Sequence, residues 1–196
     1  MITVENQLFS LHTRHTSYLF RVMETGHLEH LYYGRKIHPA IDGLMEQHAF
    51  APGNTNIYDS EHLQFSLEDT CLEMSSFGKG DIREPFVELT LSDGSETSDF
   101  LFEKFEQGTG KEEFETLPGS YDESGEVEWL GVTLRDKNSG VILELHYYVY
   151  EDCDVITRSA KLINESGDVV KLNRLMSLQL DLEPSDYVFT TFHGAW

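Results

Sequence analysis

The chain has 196 residues, 39% hydrophobic and 12% aromatic, which is enough for one large β domain or two small ones around a real apolar core. Thirty-five acidic residues against fourteen basic ones give a formal charge of −21, which argues against nucleic acid or an anionic membrane as a partner. The acidity is spread along the chain without a tail, as a solubilising surface requires, and the two cysteines, Cys71 and Cys153, stand in no metal-ligand or redox spacing.

Residues 1–10 lack a basic stretch followed by an apolar core, and no apolar run approaches ~20 residues. The sequence therefore predicts neither a signal peptide nor a membrane span, and a cytoplasmic location is the expectation. The Asn164-Glu165-Ser166 sequon reads as a turn in that setting.

Strand patterns follow one another and helical periodicity is scarce. Gln7 to Leu11 alternates into Ser17 to Met23, where Tyr18, Phe20 and Val22 point to one side and Leu19, Arg21 and Met23 to the other. Glu24-Thr25-Gly26 makes a hairpin turn, with His27 to Tyr33 as partner strand closing at Gly34-Arg35-Lys36. Pro39 to Ser60 loses periodicity and reads as a long excursion from the sheet, the kind of loop that carries function or moves.

The next informative stretch is Phe77-Gly78-Lys79-Gly80-Asp81-Ile82-Arg83-Glu84-Pro85. Two glycines spaced by one residue allow a sharp turn that presents Asp81 and Arg83. The plain reading is an ion pair across a surface turn. The functional reading rests on Arg83, whose planar fork of donors suits a hydroxyl-rich or anionic ligand.

Pro85 to Leu91 and Glu96 to Gln107 read as a second hairpin about Ser92-Asp93-Gly94-Ser95. Glu126 to Asp136 follows, with Val127, Trp129, Gly131 and Thr133 on one face, and Val141 to Tyr150 is strongly β-prone. Val155 to Asn164 and Val169 to Leu182 pair around Glu165-Ser166-Gly167-Asp168 in this reading. The fold class is thus all-β, an antiparallel β-sandwich forming a single domain over residues 1–196.

Catalytic chemistry is hard to find. The nine histidines yield no metal site, because His12 and His15, like His27 and His30, fall on opposite faces of an extended segment. Asp152 and Asp154 share a face if the strand continues, as a paired-carboxylate enzyme needs, but Glu151-Asp152-Cys153-Asp154 reads better as a solvated corner. Tyr32, Tyr33, Trp129, Tyr147, Tyr148 and Tyr150 could supply a sugar-stacking platform, except that consecutive tyrosines put one ring on each side of a sheet. No Ser-His-Asp set and no phosphate-cradling glycine loop stand out.

His15-Thr16-Ser17-Tyr18 and Gly26-His27-Leu28-Glu29-His30-Leu31-Tyr32-Tyr33-Gly34-Arg35-Lys36-Ile37 resemble the start of bacterial α-galactosidases of glycoside hydrolase family 36. The resemblance continues in order through Gly80-Asp81-Ile82-Arg83-Glu84-Pro85, Asp93-Gly94-Ser95, Tyr150-Glu151-Asp152-Cys153-Asp154-Val155-Ile156-Thr157-Arg158-Ser159 and His193-Gly194-Ala195-Trp196. It implies a β-supersandwich of the galactose mutarotase-like type, the amino-terminal domain of an enzyme whose catalytic (β/α)8 barrel and carboxy-terminal β domain lie outside this chain.

The resemblance further implies a retaining hydrolase of terminal α-1,6-galactosides such as melibiose and raffinose, without metal or cofactor. Both catalytic aspartates would be carried by the barrel, so the chain has no catalytic residue of its own and is expected to be inactive alone. Its implied partners are the catalytic barrel, further copies in a homo-oligomer and the galactoside substrate. Arg83 and, less closely, Asp81 are the substrate-binding candidates, with Ile82 standing where the family has an aromatic residue. An independent galactoside-binding module is the alternative, and another carbohydrate enzyme with a similar leading domain a third.

Overall fold

The structure, a computed structural model, describes residues 1–38, 43–44, 56–113, 119–182 and 186–194. Most of the excursion expected at Pro39–Ser60 lies outside the described residues. The described residues form ten strands: β1 (Ile2–Glu5), β2 (Leu8–His12), β3 (Thr16–Val22), β4 (Leu28–Arg35), β5 (Val87–Thr90), β6 (Phe100–Thr109), β7 (Glu128–Asp136), β8 (Ile142–Tyr150), β9 (Val155–Ile163) and β10 (Lys171–Leu175). They form two four-stranded antiparallel sheets, β1-β2-β3-β4 and β6-β7-β8-β9, and a two-stranded β5-β10 ribbon.

Alternation decides which faces meet. Phe9 and Leu11 of β2 and Tyr18 and Phe20 of β3 are buried against Leu130, Val132 and Leu134 of β7 and Leu143, Leu145, Tyr147 and Val149 of β8. Phe86, just before β5, and Val87 and Leu89 within it join the same core. Phe9 stacks on Phe20 with ring centroids 4.7 Å apart, and Phe20 stacks on Tyr147 at 5.2 Å, so one aromatic column crosses between the sheets. Such pairs add roughly 0.5–1.5 kcal/mol beyond their burial. The expected sidedness of Tyr18, Phe20 and Val22 holds, as does the hairpin at Glu24-Thr25-Gly26.

Two expected hairpins do not form. The turn at Ser92–Ser95 exists, closed by the Leu91 N–H donating to Ser95 O at 2.8 Å, yet β5 pairs with β10 and β6 pairs with β7. The reason lies just beyond the turn: Asp99 is buried, its N–H donates to Asp136 Oδ1 at 2.5 Å and its carbonyl accepts from Lys137, which delivers the chain to the end of β7. The turn after Asn164 also forms, with Asn164 Nδ2 donating to the Asp168 carbonyl at 2.8 Å, but β9 pairs with β8 and the chain crosses to β5. A turn motif dictates a local reversal, whereas partner choice follows from where apolar faces can be covered.

Candidate functional site

Both glycines of the Phe77–Pro85 loop adopt φ of +88°, the region open to glycine. A Cβ at position 78 would stand 2.6 Å from Thr97 Oγ1 and 3.0 Å from its Cα, so the loop packs there by backbone approach. Asp81 and Arg83 do pair, but not as a loose surface contact. Arg83 Nε donates to Asp81 Oδ1 and Nη2 to Asp81 Oδ2, both at 2.8 Å, and the Arg83 backbone N–H donates to the same carboxylate at 3.0 Å. The Asp81 side chain is 2% exposed and that of Arg83 31%.

The remaining donors of Arg83 turn inward. Nη2 reaches the carbonyls of Thr70 at 2.9 Å and Leu67 at 3.1 Å, and Nη1 pairs with Asp181. Partial burial works against the charge of Arg83, but its hydrogen bonds to Asp81 and the carboxylate of Asp181 outweigh it and raise the pKa. The bidentate geometry is one that lysine cannot copy. Arg83 therefore ties together the loop, the short 3-10 turn at Leu67–Asp69 and the segment that follows β10. At the loop's tip, Ile82 is 83% exposed.

Beside the loop, Lys79 Nζ sits 3.5 Å from Asp99 Oδ2 and 4.8 Å above the Tyr58 ring. Asp99 accepts from the Tyr58 hydroxyl at 2.8 Å and lies 3.0 Å from His27 Nε2, whose Nδ1 is 2.9 Å from Thr25 Oγ1. Burial alone would raise the Asp99 pKa, yet the hydrogen bonds from His27 and Tyr58 hold it low.

A second cluster escaped the sequence reading altogether. Glu73 is fully buried, and Oε1 accepts from the Tyr18 and Tyr147 hydroxyls at 2.7 Å each. His30 Nδ1 lies 3.1 Å from Oε2, and Arg158 Nη1, on a side chain only 6% exposed, lies 2.9 Å from Oε1. Arg158 is also stacked over Phe86 and Tyr147 at 5.1 and 5.2 Å, and its Nη2 donates to the Glu73 carbonyl at 2.9 Å. Burial pushes Glu73 toward the neutral form, but Arg158 and the His30 and Tyr147 hydrogen bonds outweigh it, so the pKa is lowered. The same burial raises both tyrosines.

The other candidates separate. His12 is buried 2.8 Å from Ser17 Oγ, while His15 lies in the turn between β2 and β3 rather than on an extended strand. His15 Nδ1 is 2.6 Å from Asp154 Oδ2. Asp154, left-handed at φ 54°, also accepts from Thr13 Oγ1 at 2.8 Å, and Asp152 pairs with Arg14, so the Glu151–Cys153 turn is a pinned corner. Among the described residues no three metal-ligating side chains converge. Tyr147 is core, whereas Trp129 and Tyr148 are cross-strand neighbours on the outer face of the second four-stranded sheet.

Residues 26–196 match the Glycosyl hydrolase family 36 N-terminal domain. The chain belongs to that family. It is 30% identical to alpha-galactosidase AgaA of Geobacillus stearothermophilus over 201 residues, covering 98% of this chain and 26% of AgaA. It is also 30% identical to the bifunctional alpha-galactosidase/sucrose kinase AgaSK of Mediterraneibacter gnavus, covering 96% of this chain and 20% of that protein. The solved alpha-galactosidase from Lactobacillus brevis superposes with a TM-score of 0.86 at 34% identity, over 92% of this chain and 25% of its own. The chain thus spans a fifth to a quarter of the length of these relatives, as an amino-terminal domain of a larger alpha-galactosidase does. The described residues contain no helix long and apolar enough to cross a membrane.

Proposed function

We propose that the chain is the non-catalytic leading domain of a cytoplasmic, homo-oligomeric retaining α-galactosidase acting on terminal α-1,6-galactosides such as melibiose and raffinose, and that it supports the barrel, the assembly and the rim of the active site. The observation that carries this reading is the Arg83 clamp. By holding Asp181, Arg83 anchors the segment that runs on to Tyr187, Val188, Phe189 and Phe192, which are 63%, 85%, 91% and 95% exposed. Apolar side chains in that number and exposure fit burial against another domain.

In this role Asp81 and Arg83 act on substrate through the shape of the loop they hold at the rim, since the Arg83 donors are taken up by Asp81, Asp181 and the Leu67 and Thr70 carbonyls. The relative AgaA has been solved in complex with raffinose, with a TM-score of 0.78 to this chain at 30% identity, which supports the choice of substrate class.

The test uses the full-length protein. Arg83→Lys should raise KM for raffinose with kcat little changed and the oligomer intact, because charge is kept and the fork is lost. Unchanged kcat and KM would remove Arg83 and Asp81 from the rim. The chain of 196 residues alone should hydrolyse no aryl α-galactoside; turnover by it would overturn the non-catalytic assignment.

A further inference from the structure

The outer face of the sheet β6-β7-β8-β9 carries a hollow of about 350 Å³, at the lower end of the ~300–1,000 Å³ typical of ligand pockets. Gly131 lines it beside Trp129, and Gly108 packs against the same ring. Gly108 is the cross-strand partner of Trp129, and a Cβ there would come within 2.9 Å of Trp129 Nε1, 3.0 Å of Cε2 and 3.1 Å of Cζ2. Gly131 lies under the other end of the ring, its built Cβ 3.5 Å from Trp129 Cζ3. The indole thus spans two glycines on adjacent strands, and Trp129 lines the hollow beside Gly131.

Polar groups of opposite sign surround that ring. Glu144 Oε2 is 3.4 Å from His146 Nε2 and 3.5 Å from Lys161 Nζ, longer than an ordinary hydrogen bond to either. Glu144 is 27% exposed and His146 20%, so both present their polar ends to the hollow they line. Lys104 is matched by Glu106 at 2.8 Å on the same face. Each lysine lining the hollow thus has a carboxylate beside it, and the chain as a whole carries a charge of −21, so an anionic ligand gains nothing there. With Glu112 also at its edge, the hollow has three carboxylates against two lysines, and an aromatic ring beside carboxylates able to accept from adjacent hydroxyls is the chemistry of a neutral polyhydroxylated ring.

We propose that this face is a binding site for neutral saccharides, with Trp129 stacking on the apolar face of a sugar ring and Glu144, His146 and Lys161 bonding its hydroxyls. It rests on the reading above only for the choice of a galactose-bearing probe.

The experiment is affinity electrophoresis of the full-length protein in native gels with and without galactomannan, alongside Trp129→Ala, Glu144→Gln and Gly131→Val. The last substitution adds side-chain bulk over the hollow at a position where the first added carbon makes only ordinary contacts. The wild-type protein should be retarded, and Trp129→Ala and Gly131→Val should weaken binding about tenfold. Glu144→Gln should fall in between, and hydrolysis of an aryl α-galactoside by all three should match wild type. Equal retardation of wild type, Trp129→Ala and Gly131→Val, or no retardation of wild type, overturns the proposal. So does a change of oligomer size in Trp129→Ala, which would make the face an interface between copies. Absence of aryl-galactoside hydrolysis from the wild-type protein would count against the α-galactosidase reading, not against this site, since retardation is read separately.

Discussion

Replacing Arg158 by Met should expose what the buried cluster contributes. The substitution removes the guanidinium 2.9 Å from Glu73 Oε1 and leaves a carboxylate with no exposure among Tyr18, Tyr147 and His30. Breaking one side of a buried ion pair costs about 3–5 kcal/mol. At roughly 2–4 °C per kcal/mol for a chain of this size, Tm should fall by about 6–20 °C. Removing both charges, as Glu73→Met with Arg158→Met, should recover much of the loss, because desolvation then disappears with attraction. Urea unfolding followed by circular dichroism, with the single and double variants measured together, gives the coupling directly.

The pH dependence supplies an independent sign. In the wild type Glu73 is held below its ordinary value of 4.5, so its contribution is present above that pH and is lost as pH falls through the folded value. Without Arg158, burial dominates and the folded pKa rises above 4.5, so the variant gains stability as pH falls from neutrality toward 4.5. The gap between variant and wild type should therefore narrow over that interval. A loss below about 1 kcal/mol, or a gap that widens on acidification, would refute the assignment of Arg158 as the counter-charge.

Two further outcomes are expected. Gly78→Ala forces a Cβ at φ +88° to within 2.6 Å of Thr97 Oγ1 and should cost about 1–3 kcal/mol, more than Gly94→Ala at φ +84° in open space; equal losses by thermal melting would show that the Thr97 contact does not matter. Asp99 and Asp154 are both held below 3.8, Asp154 at about 2 through its His15 and Thr13 hydrogen bonds, so their contribution is complete above 3.8 and drains as pH falls through the folded values. The urea midpoint should drop between pH 4 and 2 and drop less in Asp154→Asn, and a flat profile in the wild type would contradict this.

Local pattern carried much of this fold and little of its wiring. The hydrophobic alternation of β3, β7 and β8 and the glycine turns at 26, 94 and 167 are visible in the sequence because each depends on neighbours a few residues away. The first strand was not visible. Its turn, Asn6-Gln7, takes φ of 49° and 62° without any glycine, so the hairpin lacks its usual signal. The crossing of β5 to β10 was likewise hidden, since it depends on a buried Asp99 bonding Asp136, thirty-seven positions away.

Glu73 marks the limit most sharply. Leu72-Glu73-Met74 reads as an alternation that would turn the carboxylate outward, yet all three are buried, at 1%, 0% and 5%. The segment is no regular strand: Leu72 makes a single bridge to Glu29, and the Glu73 N–H donates to the Leu28 carbonyl at 2.9 Å. It enters the core beside β4, where no face is solvent. Its partners come from positions 18, 30, 147 and 158, so nothing within a sequence window distinguishes it from the chain's other acidic residues. The same segment connects outward, since Ser75 Oγ bonds Gln179 at 2.8 Å and Arg83 holds Asp181. The buried charge and the surface clamp therefore fasten the stretch 176–182 from both ends of one loop, and damage to Glu73 should loosen the exposed apolar segment beyond it as surely as damage to Arg83.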